Sequence, residues 1–265
     1  MQREVVIKVD NVVKTFGERT ILNGVNLEVY KGETFVIMGG SGCGKSTLLR
    51  HMIGSLKPDS GSIHLMGKNI TSLSEDEMDK VKKRIGMSFQ GSALFDSMTV
   101  GENVSLPLRE HTKLEDSVIN IVVKMKLELV GLRGFEHLMP SEISGGMKKR
   151  VGLARAIAMD PEIIFYDEPT AGLDPIVAGV VDKLILDLSK KLSITSVVVT
   201  HDMGSVFRIA DRIAMLYEGS VVEMGTAEEM RTSKNGLVQQ FIKGDPDGPI
   251  KFFQQKDDYL EHLTA

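Results

Sequence analysis

A chain of 265 residues, 42% hydrophobic and 26% charged, is long enough to bury the core of one large domain. Its formal net charge of -4 does not indicate broad electrostatic attraction to nucleic acid or anionic lipid, and the single cysteine, Cys43, cannot close a disulfide within the chain, which fits a reducing compartment. No apolar run reaches the ~18 to 20 residues that span a bilayer, and the start "MQREVVIKVD" lacks a signal-peptide core, so the chain is expected not to cross a membrane by itself.

In chain order, "EVVIKVDNVVKTF" and "ILNGVNLEVY" alternate as strands do, and "ETFVIMG" is a short apolar run stopped by glycine. A helix is predicted from about Ser46 to Ile53, closed by the turn "KPDSG". "GSIHLMG" and "RIGMSFQ" read as two further strands around the charged helix "SEDEMDKVKK". Between about 91 and 158 the periodicity becomes helical in "VGENVSLPLREH", "EDSVINIVVKMKLELVGL" and "GGMKKRVGLARAIAM". The β-branched runs "EIIFYDE" and "ITSVVVTH" then flank the long helix "PIVAGVVDKLILDLSKKL", a pattern that predicts a parallel sheet covered on both faces. The hairpin "RIAMLYEGSVVEMGT", one more helix and an extended tail from 244 to 265 complete an α/β core interrupted by a helical insert.

The stretch "GGSGCGKST", Gly39, Gly40, Ser41, Gly42, Cys43, Gly44, Lys45, Ser46 and Thr47, follows a buried strand and opens a helix. Glycines there let successive backbone N–H groups turn inward as an anion nest, at a helix end whose dipole favours phosphate. Lys45 is expected to reach the β- and γ-phosphates, Ser46 to offer a hydroxyl to Mg²⁺ and Thr47 to bond a phosphate oxygen. Cys43, beside Lys45 and the loop amides, is expected either to hold a stabilised thiolate or merely to fill the loop. Two acids end the apolar strand "IIFYDE". Unpaired buried charge is costly, so they make sense if Asp167 belongs to the Mg²⁺ shell and Glu168 orients and deprotonates the attacking water. His201 ends the next apolar run and is expected at the same sheet edge, against the γ-phosphate. Gln90, before the insert, can bond Mg²⁺ or the water through its amide. Phe16 is either a core aromatic or a ring that stacks on adenine.

A second glycine pair, in "SEISGGMKKR", opens another helix with Ser144, Gly145 and Gly146. One nucleotide needs one cradle. The economical reading is that the second serves the nucleotide of another chain, in a head-to-tail homodimer with two ATP molecules at its interface. Asp174, in "AGLDP", would lie near that interface.

This ordered set resembles the nucleotide-binding subunits of ABC transporters over nearly the whole chain. Phe16 matches the aromatic loop, 39–47 Walker A, Gln90 the Q-loop, 144–147 the signature, 163–168 Walker B, "GLD" the D-loop and His201 the switch histidine. The resemblance implies a P-loop NTPase core with an antiparallel β subdomain, in an ATP-binding domain over 1–243 followed by a tail. It also implies ATP and Mg²⁺ as ligands. The family usually reads L-S-G-G-Q, whereas Ile143 and Met147 stand at the ends here, and Met147 lacks the amide donor. The insert stretches "GALFDSMTVGENVSLPLREHTKL" and "VGLRGFEHLMPSEISGGM", with "DGPI" in the tail, look like the Mla/Mce-associated ATPases. That likeness implies phospholipid movement between inner and outer membranes, which maintains outer-membrane lipid asymmetry. It also implies a permease dimer, an Mce-type lipid-binding protein, a STAS-domain partner and a place on the cytoplasmic side of the inner membrane.

Two other classes compete: an importer ATPase for an amino acid or metal, and a soluble ABC ATPase acting on nucleic acid or ribosomes. The second conflicts with the absence of a basic face and of a second nucleotide domain, so no nucleic-acid partner is expected. A P-loop kinase or GTPase is disfavoured by the acid beside Asp167 and by the second nest.

Overall fold

The computed structural model describes residues 3–250. Strands β1 (Val5–Phe16) and β2 (Arg19–Tyr30) form a hairpin, and β4 (Ser60–Leu65) and β5 (Lys68–Asn69) extend it. The result is an antiparallel sheet of order β2-β1-β4-β5. The second sheet is built from β3 (Thr34–Met38), β6 (Ile85–Ser88), β7 (Ile163–Asp167), β8 (Thr195–Thr200), β9 (Arg212–Tyr217) and β10 (Ser220–Thr226). Its order is β10-β9-β3-β8-β7-β6, parallel except for the β9–β10 hairpin. Every residue of β3 and β8 is buried, which explains why these strands read as continuous apolar runs and not as alternations.

Alternate residues of the central strands feed two cores. Val36, Met38, Ile164, Tyr166 and Val198 face one core, with the helical insert. Phe35, Ile37, Phe165, Val197 and Val199 face the other, with the antiparallel sheet and the helices α1 (Lys45–Met52) and α2 (Glu75–Lys82). The insert comprises α3 (Val100–His111), α4 (Asp116–Leu129) and α5 (Gly145–Ala156). Capping boxes start α2 at Ser74/Glu77 and α3 at Thr99/Glu102, and each satisfies otherwise orphan backbone donors.

Helix α6 (Pro175–Leu192) matches its sequence prediction, whereas α7 (Met203–Ile209) was not foreseen. At seven residues, α7 is too short to declare a helical period; the side chain of Asp202 sets its start by accepting from the amides of Gly204 and Ser205. The single helix expected after the last hairpin is two, α8 (Ala227–Arg231) and α9 (Gly236–Lys243), each with its own cap, Thr226 and Asn235. The sequence predicts an extended tail from 244. Its first residues instead fold back on α9: the Ile250 amide donates to Gln240 Oε1 at 2.6 Å, and Gln240 Nε2 donates to the Asp245 and Ile250 carbonyls. The remainder of the expected tail lies outside the described residues.

The parallel register decides where the chemistry gathers. Met38 is level with Thr200, Asp167 with Val199 and Ser88 with Tyr166. The segments leaving β3, β6, β7 and β8 therefore emerge at one edge, the carboxyl end where α/β sheets bind ligands.

Candidate active site

The loop after β3 is shaped by glycines. Gly39 has φ +156°, and a Cβ there would lie 2.3 Å from the Leu216 carbonyl oxygen; Gly44, with φ +107°, would put one 2.9 Å from that of Ile21. No larger residue fits either place. Lys45, buried against this loop, donates from Nζ to the carbonyls of Gly39 and Gly40 at 2.8 and 2.9 Å. The amine expected to reach phosphate thus folds back over its own loop.

In front of the loop lies a cleft of about 480 Å³, lined by Phe16, Arg19, Ile21, Ser41, Gly42, Gly44, Lys45, Ser46, Thr47, Gln90, Glu168 and His201. Residues from five separate sequence motifs meet there. Phe16 stands half exposed at its rim, with the Lys14 amine 5.4 Å from the ring centre, so it is no core aromatic. Gly39, Gly40, Cys43 and Asp167 do not line the cleft. Asp167 reaches it through Ser46, whose hydroxyl donates to Asp167 Oδ1 at 3.2 Å. Burial pushes the Asp167 carboxyl up from its ordinary value, and the neighbouring Glu168 charge adds to this. The Ser46 bond and the more distant Arg50 and Lys45 pull it back down.

Glu168 is buried and holds a left-handed backbone, φ +47°, which costs a non-glycine residue energy and turns the chain sharply out of β7. Its carboxylate is held on both oxygens. Oε1 lies 2.8 Å from His201 Nδ1, and Oε2 accepts from Thr200 Oγ1 at 3.2 Å and from the His201 amide at 3.4 Å. The predicted base and the predicted switch histidine are therefore direct partners. Thr200, which helps to hold the carboxylate, was missed in the sequence because it reads as one more buried strand residue.

The Cys43 thiolate expectation is overturned. The sulfur packs against Gly39, within 2.7 Å of where a Cβ would sit, and not in the cleft. Burial raises the thiol above its ordinary value by more than Lys45 and the loop amides lower it. Alkylation by iodoacetamide at neutral pH is therefore expected to be slower than in the denatured chain. Its rate should still be rising above pH ~9.5, about a unit past the ordinary thiol pKa, where such a thiol levels off. Rapid alkylation at pH 7 would contradict this burial.

The second glycine pair is elsewhere. Ser144, Gly145, Gly146 and Asp174 do not line the cleft. The Ser144 hydroxyl caps α5 by accepting from the Met147 amide at 3.3 Å, and the amide end of that helix is exposed. Gly146 has an additional reason to be glycine, since a Cβ there would meet Val177 at 2.6 Å. Ile143 is buried in the insert core and Met147 packs against it, which accounts for apolar residues at both ends of the motif. Asp174 caps α6, accepting from the Ile176 and Val177 amides at 3.0 Å, and leaves Ile176 81% exposed beside it.

Sequence reasoning also passed over Lys149. It is buried on α5, and its amine donates to the Gln90 carbonyl and, at 3.4 Å, to that of Glu168. Within "MKKR" nothing distinguishes a buried lysine from a solvated one.

A family model described as ABC transporter matches residues 22–171. The intermembrane phospholipid transport system ATP-binding protein MlaF of Haemophilus influenzae is 46% identical over 258 residues, covering 97% of this chain and 98% of that one. Its namesake from Escherichia coli K12 is 45% identical over 265 residues, covering 99% and 98%. The chain belongs to the ABC transporter family. Among solved structures, the dimeric form of the bacterial ABC transporter cassette MJ0796 matches with a TM-score of 0.78 and 34% identity, covering 83% of this chain and 98% of that one. The two-sheet α/β architecture with its helical insert is accordingly the P-loop ABC cassette, and the protein is an ABC-type ATPase. No helix among the described residues is long and apolar enough to cross a membrane.

Proposed function

We propose that this ATPase drives phospholipid movement between the inner and outer membranes of a double-membraned cell, and so maintains outer-membrane lipid asymmetry. The observation that carries this reading is the end-to-end identity of 45–46% with two ATP-binding proteins named for intermembrane phospholipid transport. The ATPase works as a homodimer on the cytoplasmic side of the inner membrane, attached through a permease dimer that acts with an Mce-type lipid-binding protein and a STAS-domain partner.

In this reading the cleft holds one ATP. Phe16 stacks on the adenine, and the amides of 39–47 take the phosphates at the N-terminus of α1. Lys45 exchanges two loop carbonyls for phosphate oxygens, a cation already desolvated and close at hand. Ser46, Asp167 and Gln90 would hold Mg²⁺, and the pairing of Ser46 with a half-buried carboxylate fits a hard cation that takes oxygen ligands. Such an ion, when bound, neutralises charge on the phosphates. Glu168 takes the proton of the attacking water, and His201 and Thr200 keep its carboxylate aimed. Ser144, Gly145 and Gly146 of one protomer close over the nucleotide of the other, with Asp174 at the shared interface.

Transmission to the permease passes through the segment after Gln90. Phe95 is half exposed, while the buried Asn103 pins its loop: the Phe95 amide donates to Asn103 Oδ1, and Asn103 Nδ2 faces the carbonyls of Phe95, Met98 and Thr99. An apolar ring on a fixed loop is a suitable grip for a permease helix. The test is ATP-dependent transfer of a labelled phospholipid by the complex reconstituted with its permease and Mce-type protein. Transfer is expected with wild type. Phe95→Asp should abolish it while the isolated subunit keeps its ATPase rate within about twofold, since surface changes seldom disturb a fold. Normal transfer by Phe95→Asp would remove this contact, and a complex that moves an amino acid or metal but no lipid would overturn the substrate.

A further inference from the structure

Helix α5 does more than present the signature. Along one face it grips the segment that leaves β6. Lys149 donates to the Gln90 carbonyl, Gly152 packs beside the Ser92 backbone, and Arg155 donates to the carbonyls of Ser92 and Ala93, both at 2.7 Å. Ser92 and Ala93 have φ +62° and +46°, a conformation non-glycine residues adopt only when their surroundings impose it. Residues 90–93 are therefore held against α5.

Lys149 has a second attachment, the carbonyl of Glu168 at 3.4 Å. Burying an ammonium is costly, and a methionine would fill the same space without that cost, so packing does not account for the charge. Its hydrogen-bond acceptors are two main-chain carbonyls, one at each residue whose side chain faces the nucleotide cleft.

We propose that Lys149 is a positioning residue for ATP hydrolysis. Its ammonium ties the signature helix to the main chain of both Gln90 and Glu168, so the helix that meets the partner's nucleotide also sets the amide and the base around its own. Rotation of the insert on closure then carries both groups together. This rests on Glu168 being the general base.

The test uses the full chain with Lys149→Met, Lys149→Arg and Glu168→Gln, measuring affinity for a fluorescent ATP analogue and steady-state turnover. Lys149→Met should keep the affinity within about twofold and lose ~10- to 100-fold in kcat, the cost of misplacing a catalytic group. Lys149→Arg, which keeps the donors, should recover most of the rate. In a Glu168→Gln background, Lys149→Met should lower the residual rate by less than about twofold, because groups acting as a unit are not additive. If Lys149→Met does not fold, Lys149→Leu, which also lacks a donor, is read by the same criteria. A normal kcat in the neutral variant, a loss confined to affinity, or no recovery with arginine would each overturn the proposal. Slow Glu168→Gln with unaffected Lys149→Met removes Lys149 alone, whereas normal turnover in Glu168→Gln removes the base assignment and this proposal with it.

Discussion

Glu168→Gln should lower ATP turnover by at least ~100-fold, the lower end of a general base's contribution, while ATP still binds. Glutamine suits the test because the site holds the carboxylate on both oxygens. The amide oxygen can accept from Thr200 or from His201, and the shape of the side chain is unchanged. What is lost is the capacity to take a proton from water. Alanine would instead leave the Thr200 hydroxyl and the His201 ring without their partner, mixing a structural defect with a chemical one. The variant should also accumulate as a dimer in the presence of ATP, because closure no longer ends in hydrolysis; size-exclusion chromatography reads this directly. Turnover near that of wild type would place the base elsewhere.

How much of this was legible in the sequence differs from element to element. Long periodic or continuous apolar segments announced themselves: β3, β7, β8 and α6 stand where their patterns placed them. The cleft was legible because Gly39, Gln90, Asp167 and His201 each stand at the end of an apolar run, and parallel strands carry such ends to one edge. Short elements were not. Seven-residue α7 carries too few turns to show a period, and the break between α8 and α9 is set by local caps at Thr226 and Asn235. Side-chain direction was also hidden. Cys43 lies inside the phosphate motif, yet its sulfur turns toward Gly39, and Lys149 in a basic run is buried while its neighbour Lys148 is not. Motif spacing specifies which backbone groups converge; it does not specify which way a flexible side chain within the motif points.

Two cradles in one chain, on the proposed arrangement, serve two nucleotides shared between chains. That arrangement predicts what happens when one protomer carries Lys45→Ala and its partner Ser144→Arg, the latter driving a bulky side chain across the exposed amide end of α5. Each homodimer is defective at both sites. In the mixed dimer both lesions fall in the same composite site, and the other site pairs an intact phosphate loop with an intact signature. The most direct measurement is occlusion of labelled ATP after mixing the two inactive proteins. Recovery should approach one occluded ATP per mixed dimer, whether or not hydrolysis needs both sites. Occlusion that stays at the level of the separate variants would mean that Ser144, Gly145 and Gly146 serve their own chain's nucleotide, and the shared-site account would be contradicted.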